Sequence, residues 1–161
     1  MRSSTGVLFV CLGNICRSPT AQGVFTQKIE EAGLTDRVHV DSCGTHDYHP
    51  GRRPDARSCE AAAERGYEFD HLRARVLRSS DFDEFDYILA MDESNLRDIL
   101  AACPSNRRHK VSLFLSFAPE LGEESVPDPY YGGGDGFTRV LELVEVASDR
   151  LVEHLRSGAS G

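Results

Sequence analysis

The sequence predicts one α/β domain over residues 1–161, a parallel sheet covered by helices on both faces, and three observations carry that expectation. Short runs of Val, Ile, Leu and aromatic residues alternate with longer segments of helical period, the pattern of repeated strand–helix units. The 161 residues are 40% hydrophobic, enough for one ordinary core without disulfide staples. Three of the strand candidates are near-continuous in apolar residues, as strands buried on both faces of a parallel sheet are.

The first strand reads as "VLFVC", residues 7–11. A helix follows with Ser18 as its cap and Pro19 at the first helical position, where a missing N–H costs little, and Gly33 ends it. Ala21, Val24, Phe25, Ile29 and Ala32 share one face of this helix, while Gly23 in its middle costs about 1 kcal/mol of propensity. "VHVDS", residues 38–42, alternates polar and apolar side chains and so suits a sheet edge. A second helix spans roughly 54–65 with Ala56, Cys59 and Ala63 along its stripe. "YILAM", residues 87–91, is the third strand; a helix over about 93–103 then buries Leu96, Ile99 and Leu100 and stops at Pro104. The basic run "SNRRHK", residues 105–110, reads as a solvated turn before the fourth strand, "KVSLF", residues 110–114. Gly-rich "GGGDG", 132–136, leads into a last helix over about 137–156, apolar at Phe137, Val140, Leu141, Val144, Leu151 and Leu155, and residues 157–161 form a frayed tail.

A formal charge of −8 and a pI near 5.2 disfavour non-specific nucleic-acid binding, which draws on clustered Lys and Arg. Five irregularly spaced cysteines suit reduced intracellular thiols better than a secreted disulfide framework. The amino-terminal apolar run is too short for a signal peptide or a membrane span, so the expected setting is the cytoplasm, without membrane insertion.

The chemistry concentrates in "CLGNICRSP", residues 11–19. Cys11 closes a strand and Ser18 opens a helix, so Leu12, Gly13, Asn14, Ile15 and Cys16 must turn sharply with their amides converging on one spot. Such a nest at a helix start binds oxyanions, inorganic phosphate among them, and Arg17 adds a planar fork matched to two oxygens. The same positive field favours the thiolate of Cys11, making it a nucleophile. Gly13 and Asn14 tolerate the left-handed backbone such a loop needs. A Walker A loop requires a Gly-Lys-Ser/Thr that is absent, and zinc requires a second close ligand pair, whereas Cys59 and Cys103 sit on apolar helix faces and Cys43 reads as a small buried residue. Neither a metal nor another cofactor is expected.

"CLGNICRSP" is similar to the active-site loop of the low-molecular-weight protein tyrosine phosphatases, with its Cys, five residues, Arg and Ser, and "DPYYGGG", residues 128–134, extends the likeness to the other end of the chain. The resemblance implies a four-stranded parallel twisted sheet with a phosphate-binding loop between the first strand and the first helix. It also implies metal-independent hydrolysis of phosphotyrosine proteins through a cysteinyl-phosphate. A phenolate leaves readily only when protonated, which assigns Asp128 as the general acid; Pro129 stiffens the chain beside it, and Tyr130 and Tyr131 form an aromatic wall. Ser18 stabilises the departing thiolate. By the same resemblance Ser42 and His71 hold Asn14, and Tyr48 shapes specificity. Asp92 either pairs with Arg17 or caps the following helix. Cys16, five residues after Cys11, suits a reversible protective disulfide or plain packing.

Rival activities on the same frame are arsenate reduction, which needs relay cysteines, and arginine dephosphorylation, where relatives carry Thr at the position of Ile15. A non-catalytic phosphotyrosine-binding module is the alternative from another class; it would lack the nucleophile or the acid, and Cys11 and Asp128 supply both.

Overall fold

The computed structural model describes residues 5–12, 17–46, 51–69, 71–127 and 136–158. β1 (Thr5–Cys11), β2 (Val38–Gly44), β3 (Tyr87–Ala90) and β4 (Val111–Leu113) form one sheet in the order β2-β1-β3-β4. Every pairing is parallel, as the apolar runs predict. β2, the alternating strand, lies at an edge. The order places β1 where successive connections depart to opposite sides, and the crevice beyond the carboxyl end of such a strand is where open α/β sheets hold ligands.

The pleat of β1 divides the core. Val7, Phe9 and Cys11 face α1 (Arg17–Glu31), α2 (Ala56–Ala63) and α5 (Gly136–Gly158), packing with Val24, Phe25, Ile29, Ala62, Val140 and Val144. Leu8 and Val10 face α3 (Asp81–Glu84) and α4 (Glu93–Ala102), packing with Phe82, Phe85, Ile88 and Ile99. Phe9 meets Phe25 and Phe114 edge to face, with centroids 5.6 and 4.9 Å away, the arrangement that aromatic quadrupoles favour. Each such side chain contributes about 1.5–3 kcal/mol on full burial, so the strand that delivers Cys11 is anchored from both sides.

Several boundaries differ from the sequence expectation. α1 begins at Arg17, which puts Ser18 inside the first turn, where its hydroxyl turns to Cys11 and the Cys43 carbonyl instead of capping. α2 is capped by Asp55, whose side chain accepts from Arg57 N at 2.9 Å, and its inward residues are Ser58 and Ala62; Ala56 and Ala63 are exposed. A stripe of alanines is a weak periodic signal, since the methyl groups lose little in water. Cys59 and Cys103 are half-buried, not buried. β4 keeps only three residues because 3₁₀ helices take Lys110 on one side and Phe114 on the other. The 105–110 run is a 3₁₀ helix rather than a loose turn: Arg107 pairs with Asp83 at 3.0 Å and Lys110 donates to Phe82 O at 2.8 Å, pinning it to α3. α5 continues to Gly158, so the expected fray does not start at 157.

Gly23 explains its own cost. A Cβ built there would lie 2.5 Å from Phe69 Cδ1 and 2.9 Å from Phe69 Cβ and Cγ, so the glycine is the notch into which Phe69 packs on α1. Gly23→Ala gains about 1 kcal/mol of helix propensity but overpacks the notch by about 1–3 kcal/mol. The expected outcome is a thermal midpoint lower by a few degrees, measured by circular dichroism; an unchanged or higher midpoint would show that Phe69 moves aside freely.

Candidate active site

Backbone bonds bring two segments to the end of β1. Met91 N donates to Val10 O at 3.1 Å, Thr45 N to Cys11 O at 2.9 Å and His46 N to Leu12 O at 3.1 Å. Cys11 is 3% exposed, with its sulfur on the α1 side of the sheet. Leu12 follows at 40% exposure, the one large apolar side chain among the described residues left that open, so the chain rises from buried floor to open mouth within one residue.

Ser18, fully buried at the start of α1, sets its Oγ 2.9 Å from Cys11 Sγ. The same oxygen lies 3.4 Å from Cys43 O, long for a hydroxyl bond, so the sulfur is its better partner. Cys43 is itself buried, and burial pushes its thiol well above the ordinary range; it remains an uncharged neighbour, as its reading as a core residue requires.

Arg17 is only 7% exposed, and a guanidinium so withdrawn from water needs partners. Nη1 donates to Asp92 Oδ2 at 2.7 Å and to Val126 O at 3.0 Å. Asp92 performs both of the roles its sequence context allows: Oδ2 takes Arg17, and Oδ1 caps α4 by accepting from Asn95 N at 2.8 Å. Val126 is likewise used twice, since its N–H donates to Met91 O at 2.7 Å while its carbonyl receives Arg17. The guanidinium is thereby tied to the ends of β1 and β3 and to the segment leading toward residue 128.

The sequence matches the family described as low molecular weight phosphotyrosine protein phosphatase over residues 6–160. The chain belongs to that family. Its relatives include the low molecular weight phosphotyrosine protein phosphatase of Schizosaccharomyces pombe, 52% identical over 94% of this chain and 97% of that protein. A putative low molecular weight protein-tyrosine-phosphatase of Synechocystis is 47% identical over 92% and 95%. Among solved structures, a protein tyrosine phosphatase from Entamoeba histolytica with Hepes in the active site superposes with a TM-score of 0.93 at 42% identity, covering 97% of this chain and 99% of that one.

In this phosphatase the structure brings Cys11, Arg17, Ser18 and Asp92 together, with Leu12 beside them. Ser42, 3% exposed, donates to Gln22 Oε1 at 2.6 Å. His71 is exposed on the wall of a groove that Gln22, Thr26 and Tyr67 also line. Gly13, Asn14, Ile15, Cys16, Tyr48, Asp128, Tyr130 and Tyr131 lie outside the described residues. Among the described residues no three His, Cys, Asp or Glu side chains converge as metal ligands do, and no described helix is long and apolar enough to cross a membrane. Sequence reasoning missed the Val126 carbonyl, which no side-chain pattern signals. It also missed Gln22 as the partner of Ser42.

Asp92→Asn keeps an oxygen for the α4 cap while removing the charge that orients Arg17. We expect its thermal midpoint to stay within a few degrees of wild type while kcat/KM for an aryl phosphate falls by about ten-fold, a loss near 1.4 kcal/mol. Asp92→Ala should lose the cap as well, costing about 1–2 kcal/mol of stability. Equal kinetics for Asp92→Asn and wild type would remove Asp92 from the orientation of Arg17.

Proposed function

We propose that this phosphatase hydrolyses phosphotyrosine monoesters in proteins by way of a phosphorylated Cys11. The observation that carries the reading is the buried contact of Cys11 Sγ with Ser18 Oγ at 2.9 Å, beside an Arg17 guanidinium oriented by Asp92. A thiolate there attacks phosphorus in line with the ester oxygen; the sulfur–phosphorus bond forms as the phosphorus–oxygen bond breaks. Arg17 and the amides of residues 12–16 hold the equatorial oxygens, where charge builds in the transition state. Asp128 delivers a proton to the leaving phenol, so tyrosine departs neutral. Asp128 then takes a proton from water as the water oxygen attacks phosphorus, and sulfur leaves as thiolate, accepting a hydrogen bond from the Ser18 hydroxyl. Inorganic phosphate is the product.

Chain connectivity supports the assignment of the acid. Asp128 follows Val126 by two residues, at most about 7 Å of extended chain, and Val126 is bonded to Arg17. Tyr130 and Tyr131 follow directly, and with Tyr48 they are the proposed walls for the phosphotyrosyl ring. Asn14 supported by Ser42 and His71, and Cys16 as a reversible partner of Cys11, belong to the same proposal.

Arsenate reduction is disfavoured by the placing of the other thiols. Cys59 packs with the core on the α1 side of the sheet and Cys103 with the core on the α4 side, so no relay connects them. Free thiols at Cys11, Cys43, Cys59 and Cys103 suit a reducing compartment, and we read the whole chain as one cytoplasmic phosphatase domain.

The test is para-nitrophenyl phosphate turnover in the presence of a chelator. Cys11→Ser should abolish release of nitrophenolate, and Asp128→Asn should lower kcat by about 10²–10⁴-fold, the range of a general acid. Retention of near wild-type kcat by either variant would overturn the mechanism, and capture of phosphopeptide without phosphate release by the wild type would make the chain a binding module.

A further inference from the structure

The chain carries a formal charge of −8, yet one corner of it has the opposite sign. Arg52, Arg53, Arg57 and Arg73 are all exposed, and Asp55 is the one acid within residues 51–57. Two backbone bonds gather these side chains: Gly51 N donates to Ala74 O at 2.7 Å, and Ala74 N donates to Arg52 O at 2.8 Å. With Gly51 at φ +77°, this is the bonding of a glycine-type β-bulge. It sets Arg52 opposite Ala74, so Arg52 and Arg53 stand beside Arg73.

Asp55 does not cancel the patch. Its side chain is 14% exposed, accepts from Arg57 N at 2.9 Å as the cap of α2, and pairs with Arg57 Nε at 3.3 Å. The Arg57 guanidinium also lies 4.9 Å from the centre of the Phe137 ring, so Arg57 and Asp55 form a local structural pair. Arg75 is likewise engaged, on Asp41 and Asp81 at 3.0 Å each. The side chain of Arg52, in contrast, has no hydrogen-bond or ion-pair partner among the described residues, and residues 51–56 line an open recess of about 500 Å³.

Backbone connectivity sets the distance of this corner from Cys11. Gly44 is the register partner of Cys11; its N–H donates to Arg75 O at 2.8 Å, and it bridges Val76. Cys11, Gly44, residues 74–76 and residues 51–52 are therefore successive backbone layers, and at a spacing of about 4.8 Å the last stands about 14 Å from the first. An extended peptide covers that span in about four residues.

We infer that Arg52, Arg53 and Arg73 form a docking surface for acidic substrate segments, taking the carboxylates of Asp or Glu placed within about four residues of the phosphotyrosine. The inference deepens the proposed function and rests on it. A guanidinium plane matches the two oxygens of a carboxylate, and a positive patch on an acidic protein draws in the acidic segments that the rest of its surface repels. The patch stands away from the reacting atoms, so its effect falls on substrate affinity.

The experiment is steady-state kinetics on three phosphotyrosyl peptides that differ only in flanking residues, carrying glutamate, glutamine or phosphoserine, with para-nitrophenyl phosphate and thermal melts alongside. For the wild type we expect KM for the glutamate peptide about five-fold below that for the glutamine peptide, with kcat within about two-fold. That ratio should shrink as ionic strength rises from about 0.01 M to about 1 M, where the screening length falls from about 30 to about 3 Å. Arg52→Gln, at a side chain without a partner, should remove about half of the preference, and Arg52→Gln/Arg53→Gln/Arg73→Gln should abolish it, both with wild-type turnover of para-nitrophenyl phosphate. Equal KM for the glutamate and glutamine peptides in the wild type, or a ratio that survives the triple substitution, overturns the inference and leaves the phosphatase reading intact. A preference confined to the phosphoserine peptide overturns the carboxylate assignment. A wild type that turns over para-nitrophenyl phosphate but none of the peptides overturns the proposed function and this inference together.

Discussion

A guanidinium withdrawn almost wholly from water has to be neutralised within the protein, and much of this molecule is arranged to neutralise Arg17. A single unpaired charge at that depth costs several kcal/mol, a large share of the stability of a domain this size. Asp92 and the carbonyl of Val126 answer it together. Both are delivered by the end of β3, Asp92 as the residue that caps α4 and Val126 through its own bond to Met91. Pairing Arg17 therefore requires that β1 and β3 be neighbours, which makes the strand order β2-β1-β3-β4 a condition of the site as well as of the core.

The same economy appears around Cys11. Cys11 belongs to the pleat of β1 that faces α1, so the strand's alternation decides which side the sulfur takes, and the packing of Phe9 between Phe25 and Phe114 holds that register. Ser18 reaches the sulfur because α1 starts at Arg17. Cys43, one strand away, packs on the opposite face among Leu8, Val10 and Phe82, which keeps a second buried thiol off the side that Cys11 faces. Beyond β2, the edge strand, Val76 adds one isolated parallel bridge at Gly44, and Arg75 ties this stretch to both β2 and α3.

Legibility followed the physics of each signal. Strands β1 and β3 and helices α1 and α5 carry large apolar side chains at strict periods, so their existence and inward faces were readable. The face of α2 was misassigned because alanines give little contrast between inside and outside, and the packed residues are Ser58 and Ala62. The short α3 and the 3₁₀ turns from 105 to 121 lack the length for a period and exist through contacts such as Lys110 on Phe82 O. The grouping of Cys11, Arg17 and Ser18 was legible because thiol, guanidinium and hydroxyl stand within eight residues of chain. Asp92 was legible only as a choice between two roles, and the structure gives one carboxylate oxygen to each.

By itself the sequence determined what is local or periodic: a thiol and an arginine with five residues between them after an apolar strand, the parallel α/β class, and family membership through the spacing of that motif. Only the tertiary structure decided which distant groups complete that motif. The Val126 carbonyl, Gln22 beneath Ser42 and the fork of Arg75 on Asp41 and Asp81 join residues far apart in the chain. A backbone carbonyl leaves no mark in the residue alphabet, and an ion pair is defined by where two elements meet, a property that neither partner's own stretch of sequence contains.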